Sequence, residues 1–142
     1  MALGIGKILI VDDEEIVCKD LKRLSEKLGF SVQIAFNGLD GWQIFKEYQP
    51  DIAILVIYMP GMNGLTLLRL IKEYTSDCPV ILITGFLHFE QLVVREKLKP
   101  DGFIVKPFQS VKIASQLLDL IQKNNHQTES NDEKVLSQTL HH

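Results

Sequence analysis

Five short apolar runs alternate with five helical patterns along the chain, and this alternation constrains the fold more than any other sequence feature. The apolar runs are rich in Val, Ile and Leu and predict strands at 7–11, 30–35, 52–57, 79–84 and 102–105. Apolar residues at three- and four-residue spacing predict helices at 15–28, 37–48, 65–74, 88–99 and 110–123. Strands that alternate with helices across short loops form a parallel sheet with helices on both faces, a doubly wound α/β domain. Periodicity leaves the order of the strands open.

The composition excludes several classes of protein. With 142 residues, 46% of them hydrophobic and 23% charged, the chain can bury a core without disulfides or metal. A net charge of −3 leaves no basic excess to neutralise phosphates, so we expect this domain to bind no nucleic acid. No apolar run approaches the roughly 20 residues of a membrane helix, and the N-terminus does not resemble a secretory signal. We therefore expect no membrane partner, a cytoplasmic location, and free buried thiols at Cys18 and Cys78.

The composition changes near residue 124, and this change predicts the domain boundary. Residues 1–123 carry the alternating pattern and form the predicted domain. Residues 124–142 are rich in Asn, Gln, Ser and acids and are predicted to form a polar tail or linker, with one short helix over 131–140. His141 and His142 resemble the remnant of a purification tag, so they carry no functional interpretation.

Polar residues stand at the carboxyl ends of three predicted strands, where ligands bind in such a sheet. Asp12 and Asp13 follow the first strand, Thr84 ends the fourth, and Lys106 follows the fifth. An acid pair suits Mg²⁺, whereas a lysine beside a hydroxyl suits an anionic oxygen such as that of a phosphoryl group. The same residues could instead form a structural ion pair, with Thr84 bonded to the backbone. Convergence of four polar groups on one edge favours a site.

Four motifs resemble the receiver domain of two-component response regulators, in the family's order and spacing over roughly residues 5–123. They are ILIVDDEE at 8–15, PDIAILVIYMPGMNG at 50–64, VILITGF at 80–86 and DGFIVKPF at 101–108. The resemblance implies a flavodoxin-like (βα)5 domain with strand order 2-1-3-4-5. It also implies a phosphorelay signalling module rather than an enzyme.

The resemblance implies a magnesium site and shows one departure from the family. Asp12 and Asp13 match the acidic pair that binds Mg²⁺, and Tyr58 matches the residue whose backbone carbonyl completes the site. The family's phosphoacceptor Asp lies six residues after the Pro of a Pro-Asp pair, and counting from Pro50 reaches Val56. Because a Val side chain has no lone pair to attack phosphorus, we expect no aspartyl phosphate and weakened Mg²⁺ binding.

The origin of Val56 stays open among three explanations. The chain could be a natural pseudo-receiver, carry a laboratory substitution that blocks phosphorylation, or carry a single-base error, since Asp and Val codons can differ by one base. The intact polar residues around Val56 slightly favour recent loss. Glu14 is the nearest spare carboxylate, whereas Asp51 lies at the wrong end of the third strand.

The resemblance also assigns phosphoryl-contact and switch positions. Thr84 and Lys106 match the hydroxyl and the lysine that contact the phosphoryl group, and Phe103 matches the aromatic switch position. The bond between Lys106 and Pro107 is expected to be cis. Without a phosphoryl group, we hypothesise that Lys106 pairs with one carboxylate of the Asp12–Asp13 pair.

A receiver without its acceptor is expected to signal through protein contacts. The partner would be a histidine kinase, another signalling protein, an output domain, or a second copy in a homodimer. The candidate contact residues lie on the fourth helix, the fifth strand and the loop after it: His88, Phe89, Gln91, Val105 and Phe108.

Two functions of other classes compete with this one. A metal-dependent phosphatase or phosphotransferase would use Asp12 as its nucleophile, but the Asp-x-Asp spacing of one such family is absent. A flavodoxin-type cofactor binder would need a Ser/Thr-rich phosphate loop after the first strand, where this chain has acids.

Overall fold

A single parallel sheet of five strands organises the protein. The computed structural model describes residues 4–85 and 99–123. The strands are β1 Gly6–Val11, β2 Phe30–Ala35, β3 Ile52–Val56, β4 Val80–Thr84 and β5 Gly102–Val105. Their order is β2-β1-β3-β4-β5 with every neighbouring pair parallel, which confirms the order that the resemblance implied.

The helices cover both faces of the sheet. They are α1 Glu15–Lys27, α2 Gly38–Tyr48 and α3 Gly64–Tyr74, and residues 110–123 form a further helix, which we call the final helix. None of the helices within 4–85 and 99–123 is long and apolar enough to cross a bilayer. The helix predicted at 88–99, the short helix at 131–140, and the candidate contacts His88, Phe89 and Gln91 lie outside the described residues.

Alternation along the strands divides the core into two layers. Leu9, Leu55 and Leu82 face α2 and α3, whereas Ile8, Ile54 and Ile81 face α1 and the final helix. Since both faces are covered, β3 and β4 are buried along their whole length and consist largely of aliphatic residues. The two free thiols are buried as predicted, with Cys78 in the first layer and Cys18 in the second.

Two asparagines set where α2 and α3 begin. The Asn37 side chain accepts a hydrogen bond from the backbone N–H of Asp40 at 2.8 Å and so caps α2. Asn63 accepts in the same way from Thr66 at 2.9 Å. Both helices therefore start at the carboxyl edge of the sheet, close to the candidate site.

The apolar stripe predicted for α1 agrees in part with the side that is most buried. The three- and four-residue spacing predicts a stripe of Val17, Leu21, Leu24 and Leu28, of which Leu21 is buried and the other three are half-buried. The fully covered positions are Cys18, Leu21 and Ser25. Small side chains at two of these positions let the helix lie close to the sheet, and the larger residues pack along its flanks.

Candidate functional site

The carboxyl edge of the sheet brings together the residues that the sequence singled out from separate segments. Asp12 directly follows β1, Val56 ends β3, Thr84 ends β4 and Lys106 directly follows β5. In the strand register Val56 lies opposite Ile83, and Thr84 lies opposite Val105. The predicted convergence of strand ends is therefore present in the structure.

Asp12 is a buried carboxylate with both oxygens engaged. Oδ1 accepts a hydrogen bond from the backbone N–H of Glu14 at 2.9 Å, and Oδ2 lies 3.1 Å from Nζ of Lys106. The thiol of Cys18 donates to the Asp12 backbone carbonyl at 3.2 Å. Burial raises the pKa of Asp12 above its ordinary value, although the Glu14 N–H and Lys106 both act to lower it. Asp13, the second acid, is exposed.

Lys106 reaches two carboxylates at once. Its Nζ lies 3.1 Å from Asp12 Oδ2 and 2.9 Å from Glu14 Oε1. The side chain is only 17% exposed, so the contact with Asp12 is poorly screened by solvent. Burial alone would lower the pKa of Lys106, but its bonds to Glu14 and Asp12 raise the pKa above the ordinary value. Lys106 is therefore a cation in this pocket.

This pairing differs in part from the hypothesis made from the sequence. Lys106 contacts Asp12 of the acid pair and takes Glu14 as its second partner. The peptide bond between Lys106 and Pro107 is cis, as expected. The Lys106 backbone N–H also donates to the Thr84 carbonyl at 2.7 Å, which fixes the start of the loop relative to β4.

The β3 end of the pocket is apolar. Val56 is 5% exposed and belongs to the core layer beneath α3. Thr84 is also buried, and Phe103 is half-buried against the same layer. Tyr58 follows β3 with its side chain exposed. A hydroxyl, an ammonium and a carboxylate thus lie at the ends of the other strands of this edge, where β3 contributes an aliphatic side chain.

The donor set in this arrangement does not fit a divalent cation. Mg²⁺ requires near-octahedral oxygen ligands, and of the acid pair predicted to bind it Asp12 already faces Lys106. Glu14 and Asp12 hold Lys106, and Asp13 is exposed. Among the residues described, no group of three or more His, Cys, Asp or Glu side chains is arranged to hold a metal ion.

A cavity of about 290 Å³ lies beside β5 and the start of the final helix. Two of the predicted contact residues, Val105 and Phe108, line it together with Phe103. Lys112 and Gln116 of the final helix form its polar side. The half-buried switch candidate Phe103 therefore lies between this cavity and the core layer near Val56.

Glu14 is the site residue whose pairing the sequence reasoning missed. It is separated from Lys106 by 92 positions, so no local periodicity connects the two. A cue was available in its position, because it directly follows the acid pair at the same edge. Its pairing nevertheless depends on the conformations of two long side chains.

The comparisons with known proteins agree with this geometry. Residues 8–118 match the family model of the response regulator receiver domain. The uncharacterized transcriptional regulatory protein YclJ of Bacillus subtilis is 32% identical over 117 residues, which is 82% of this chain and 51% of that protein. Chemotaxis protein CheY of Halobacterium salinarum is 30% identical over 115 residues, 81% of this chain and 96% of CheY.

A solved structure shows the same architecture. A response regulator receiver domain from Clostridium thermocellum matches with a TM-score of 0.78 at 28% identity, covering 87% of this chain and 98% of that one. The chain spans about half the length of YclJ and of a second Bacillus subtilis regulator, YkoG. From the family model, the relatives and the sheet order together, this chain belongs to the response regulator receiver domain family.

Proposed function

We propose that this receiver domain serves two-component signalling without accepting a phosphoryl group at the usual position, because Val56 stands there. The observation that carries the proposal is the position of Val56 at the carboxyl end of β3. It is buried beside the edge at which Asp12, Thr84 and Lys106 meet. An isopropyl group cannot act as a nucleophile, so no phosphoryl group can be transferred to this residue.

The contacts of Lys106 support a signalling state that does not depend on phosphate. In a phosphorylatable receiver the lysine would contact the incoming phosphoryl oxygens. Here its ammonium is held by Asp12 and Glu14, at 3.1 and 2.9 Å. We propose that Thr84 and Lys106 keep the geometry of phosphoryl contacts, and that Phe103 keeps the switch position, while the input that would move them is missing.

Output then comes through protein contact. The cavity beside β5, lined by Val105 and Phe108, is the described part of the proposed contact surface. YclJ is named a transcriptional regulatory protein and CheY a chemotaxis protein, so relatives of this domain act in longer regulators and alone. The proposed partner is a histidine kinase, another signalling protein, an output domain or a second copy of the chain. Nucleic acid and membrane are not proposed partners of this domain.

The alternative is an ordinary phospho-accepting receiver in which Asp has been changed to Val. The retained set of Asp12, Asp13, Thr84 and Lys106 favours it, since a pocket long out of use has no chemical reason to keep all four. In both versions one carboxylate of the family's metal site is missing, so we propose that Asp12, Asp13 and the Tyr58 carbonyl bind Mg²⁺ too weakly to retain it beside Lys106.

Intact-mass measurement after incubation with Mg²⁺ and acetyl phosphate tests the proposal. The unmodified chain should gain no phosphoryl group, whereas Val56→Asp should gain one if the rest of the pocket is competent. Val56→Asn, which has the same shape as the Asp variant without the nucleophile, is the matched control and should gain none.

The outcomes separate the two versions. A stable phosphoaspartate on the unmodified chain contradicts the proposal outright. Phosphorylation of Val56→Asp alone supports a recent or engineered block on an ordinary receiver. If no variant gains mass, the rest of the pocket has also diverged, and a phosphate-independent interaction module is the better account.

A further inference from the structure

The charge balance of the pocket changes when β3 contributes no acid. Among the residues described, Asp12 is the one buried carboxylate at this edge. A buried carboxylate without a countercharge is costly, because water no longer solvates it. Its Oδ2 receives no hydrogen bond of good geometry within the described residues, so its close stabilising contact is the ion pair with Lys106.

Asp12, Glu14 and Lys106 form a closed ring of contacts that includes this ion pair. The Glu14 backbone N–H holds Asp12 Oδ1, Asp12 Oδ2 faces Lys106 Nζ, and Nζ in turn bonds Glu14 Oε1. Glu14 is 62% exposed and Asp12 only 2%, so Glu14 lies on the solvent side of the ammonium. The ammonium is thereby held between a buried and an exposed carboxylate.

We propose that Lys106, held between Asp12 and Glu14, is the resident cation of this pocket and excludes divalent metal from it. The inference rests on the proposed function, since it follows from the absence of a β3 carboxylate. A divalent cation at Asp12 would have to displace the ammonium from Oδ2 and then lie beside a like charge. Asp12 is one buried acid instead of two, and Lys106 already neutralises its single charge.

Direct binding of Mn²⁺, a spectroscopically visible substitute for Mg²⁺, tests this inference on the full chain. Lys106→Met keeps the length of the side chain and removes its charge. It should bind one Mn²⁺ at least tenfold more tightly than the unmodified chain in a titration followed by electron paramagnetic resonance. Lys22→Met removes one positive charge from an exposed part of α1, where Lys22 lies 3.7 Å from Glu26, and should leave Mn²⁺ affinity unchanged.

Two further measurements locate the cation. Adding Asp12→Asn to Lys106→Met should abolish the gain in affinity. The second measurement uses the unmodified chain, so it does not depend on whether a variant folds. Mn²⁺ at a tenth of the protein concentration should not selectively broaden the amide NMR signals of Asp12, Asp13 and Glu14 in that chain.

The inference is overturned if the unmodified chain and Lys106→Met bind Mn²⁺ within threefold of each other. It is also overturned by selective broadening in the unmodified chain, or by a gain that survives Asp12→Asn. These measurements use no phosphodonor. Phosphorylation of the unmodified chain would contradict the proposed function, whereas tight Mn²⁺ binding without phosphorylation would contradict only the role of Lys106 as the resident cation.

Discussion

Val56 determines both the chemistry and the electrostatics of the pocket. It is buried in the aliphatic layer beneath α3, so it makes the β3 end of the site part of the core. A carboxylate at the same place would lose most of its hydration and would lie near a second buried acid, Asp12. The valine avoids that cost and leaves Lys106 to neutralise Asp12.

Restoring a carboxylate at position 56 is therefore expected to destabilise the fold. Val56→Asp should lower the free energy of unfolding by about 2 kcal/mol in metal-free buffer. The reason is that two buried carboxylates would then share one countercharge, Lys106. Val56→Thr, nearly equal in shape and uncharged, should cost about 1 kcal/mol. Urea denaturation of both variants beside the unmodified chain measures the difference. Equal stability of Val56→Asp and the unmodified chain would show that the site tolerates two acids without metal.

Sequence reasoning predicted which residues meet at the site better than it predicted their contacts. Asp12, Thr84 and Lys106 directly follow or end strands, so the parallel topology alone brings them to one edge. Which acid Lys106 contacts depends on side-chain conformations, and these follow from local burial and charge. For that reason the prediction offered Asp12 or Asp13, whereas the structure uses Asp12 with Glu14.

The first turn of α3 lies very close to the backbone at the end of β3, beside the site. A Cβ added to Gly64 would lie 2.1 Å from the Val56 carbonyl oxygen, so the first turn of α3 packs directly on the end of β3. The Gly64 N–H donates to the Ile57 carbonyl at 2.8 Å, and Asn63 caps the helix. The glycine at position 64 thus determines how closely the start of α3 can approach the end of β3 at the pocket.

Gly64→Ala is expected to reduce stability because either α3 or the end of β3 must move. The expected loss in the free energy of unfolding is about 3 kcal/mol, at the upper end for overpacking. Gly85→Ala is the matched control, since a Cβ there meets no atom of the other residues within 4–85 and 99–123 closer than 4 Å, and it should change stability by less than about 1 kcal/mol. Thermal and urea unfolding measure both variants. A loss at Gly64 no larger than that at Gly85 would contradict the close packing of α3 on β3.

Strand positions were more predictable than helix faces for a physical reason. Strands β3 and β4 lie within one residue of their predicted bounds, because continuous apolar runs mark a strand buried on both sides. The buried side of α1 was less predictable, since it depends on how closely the helix approaches the sheet. Cys18 and Ser25 occupy that side because they are small, and a hydrophobicity pattern gives such residues little weight.

At the scale of the whole molecule, the two core layers each contain one buried thiol. Cys18 lies in the layer beneath α1 and the final helix, and burial raises its pKa to about 11. Cys78 lies in the layer beneath α2 and α3, and burial raises its pKa to about 12 from an ordinary 9.0. Both thiols are therefore neutral in the folded protein at physiological pH, and their ionisation is coupled to unfolding.

This coupling predicts that stability falls in alkaline solution. In the unfolded chain Cys78 loses its proton above about pH 9, whereas the folded chain retains it until about pH 12. The stabilisation is fully present below the unfolded pKa and is lost as pH rises through this window. Between pH 8 and 10.5 the free energy of unfolding should fall by about 2 kcal/mol more in the unmodified chain than in Cys78→Ala.

Urea denaturation at a series of pH values measures this difference in slope. Cys78→Ala is itself less stable at pH 8, since it leaves a small cavity. The test therefore compares how much the free energy of unfolding of each protein changes with pH, and not its value at one pH. Lysines and tyrosines ionise in both proteins, and their contributions cancel in the difference. Parallel stability curves for the two proteins would show that the Cys78 thiol ionises as readily in the folded core as in the unfolded chain, and that the layer beneath α2 and α3 admits water.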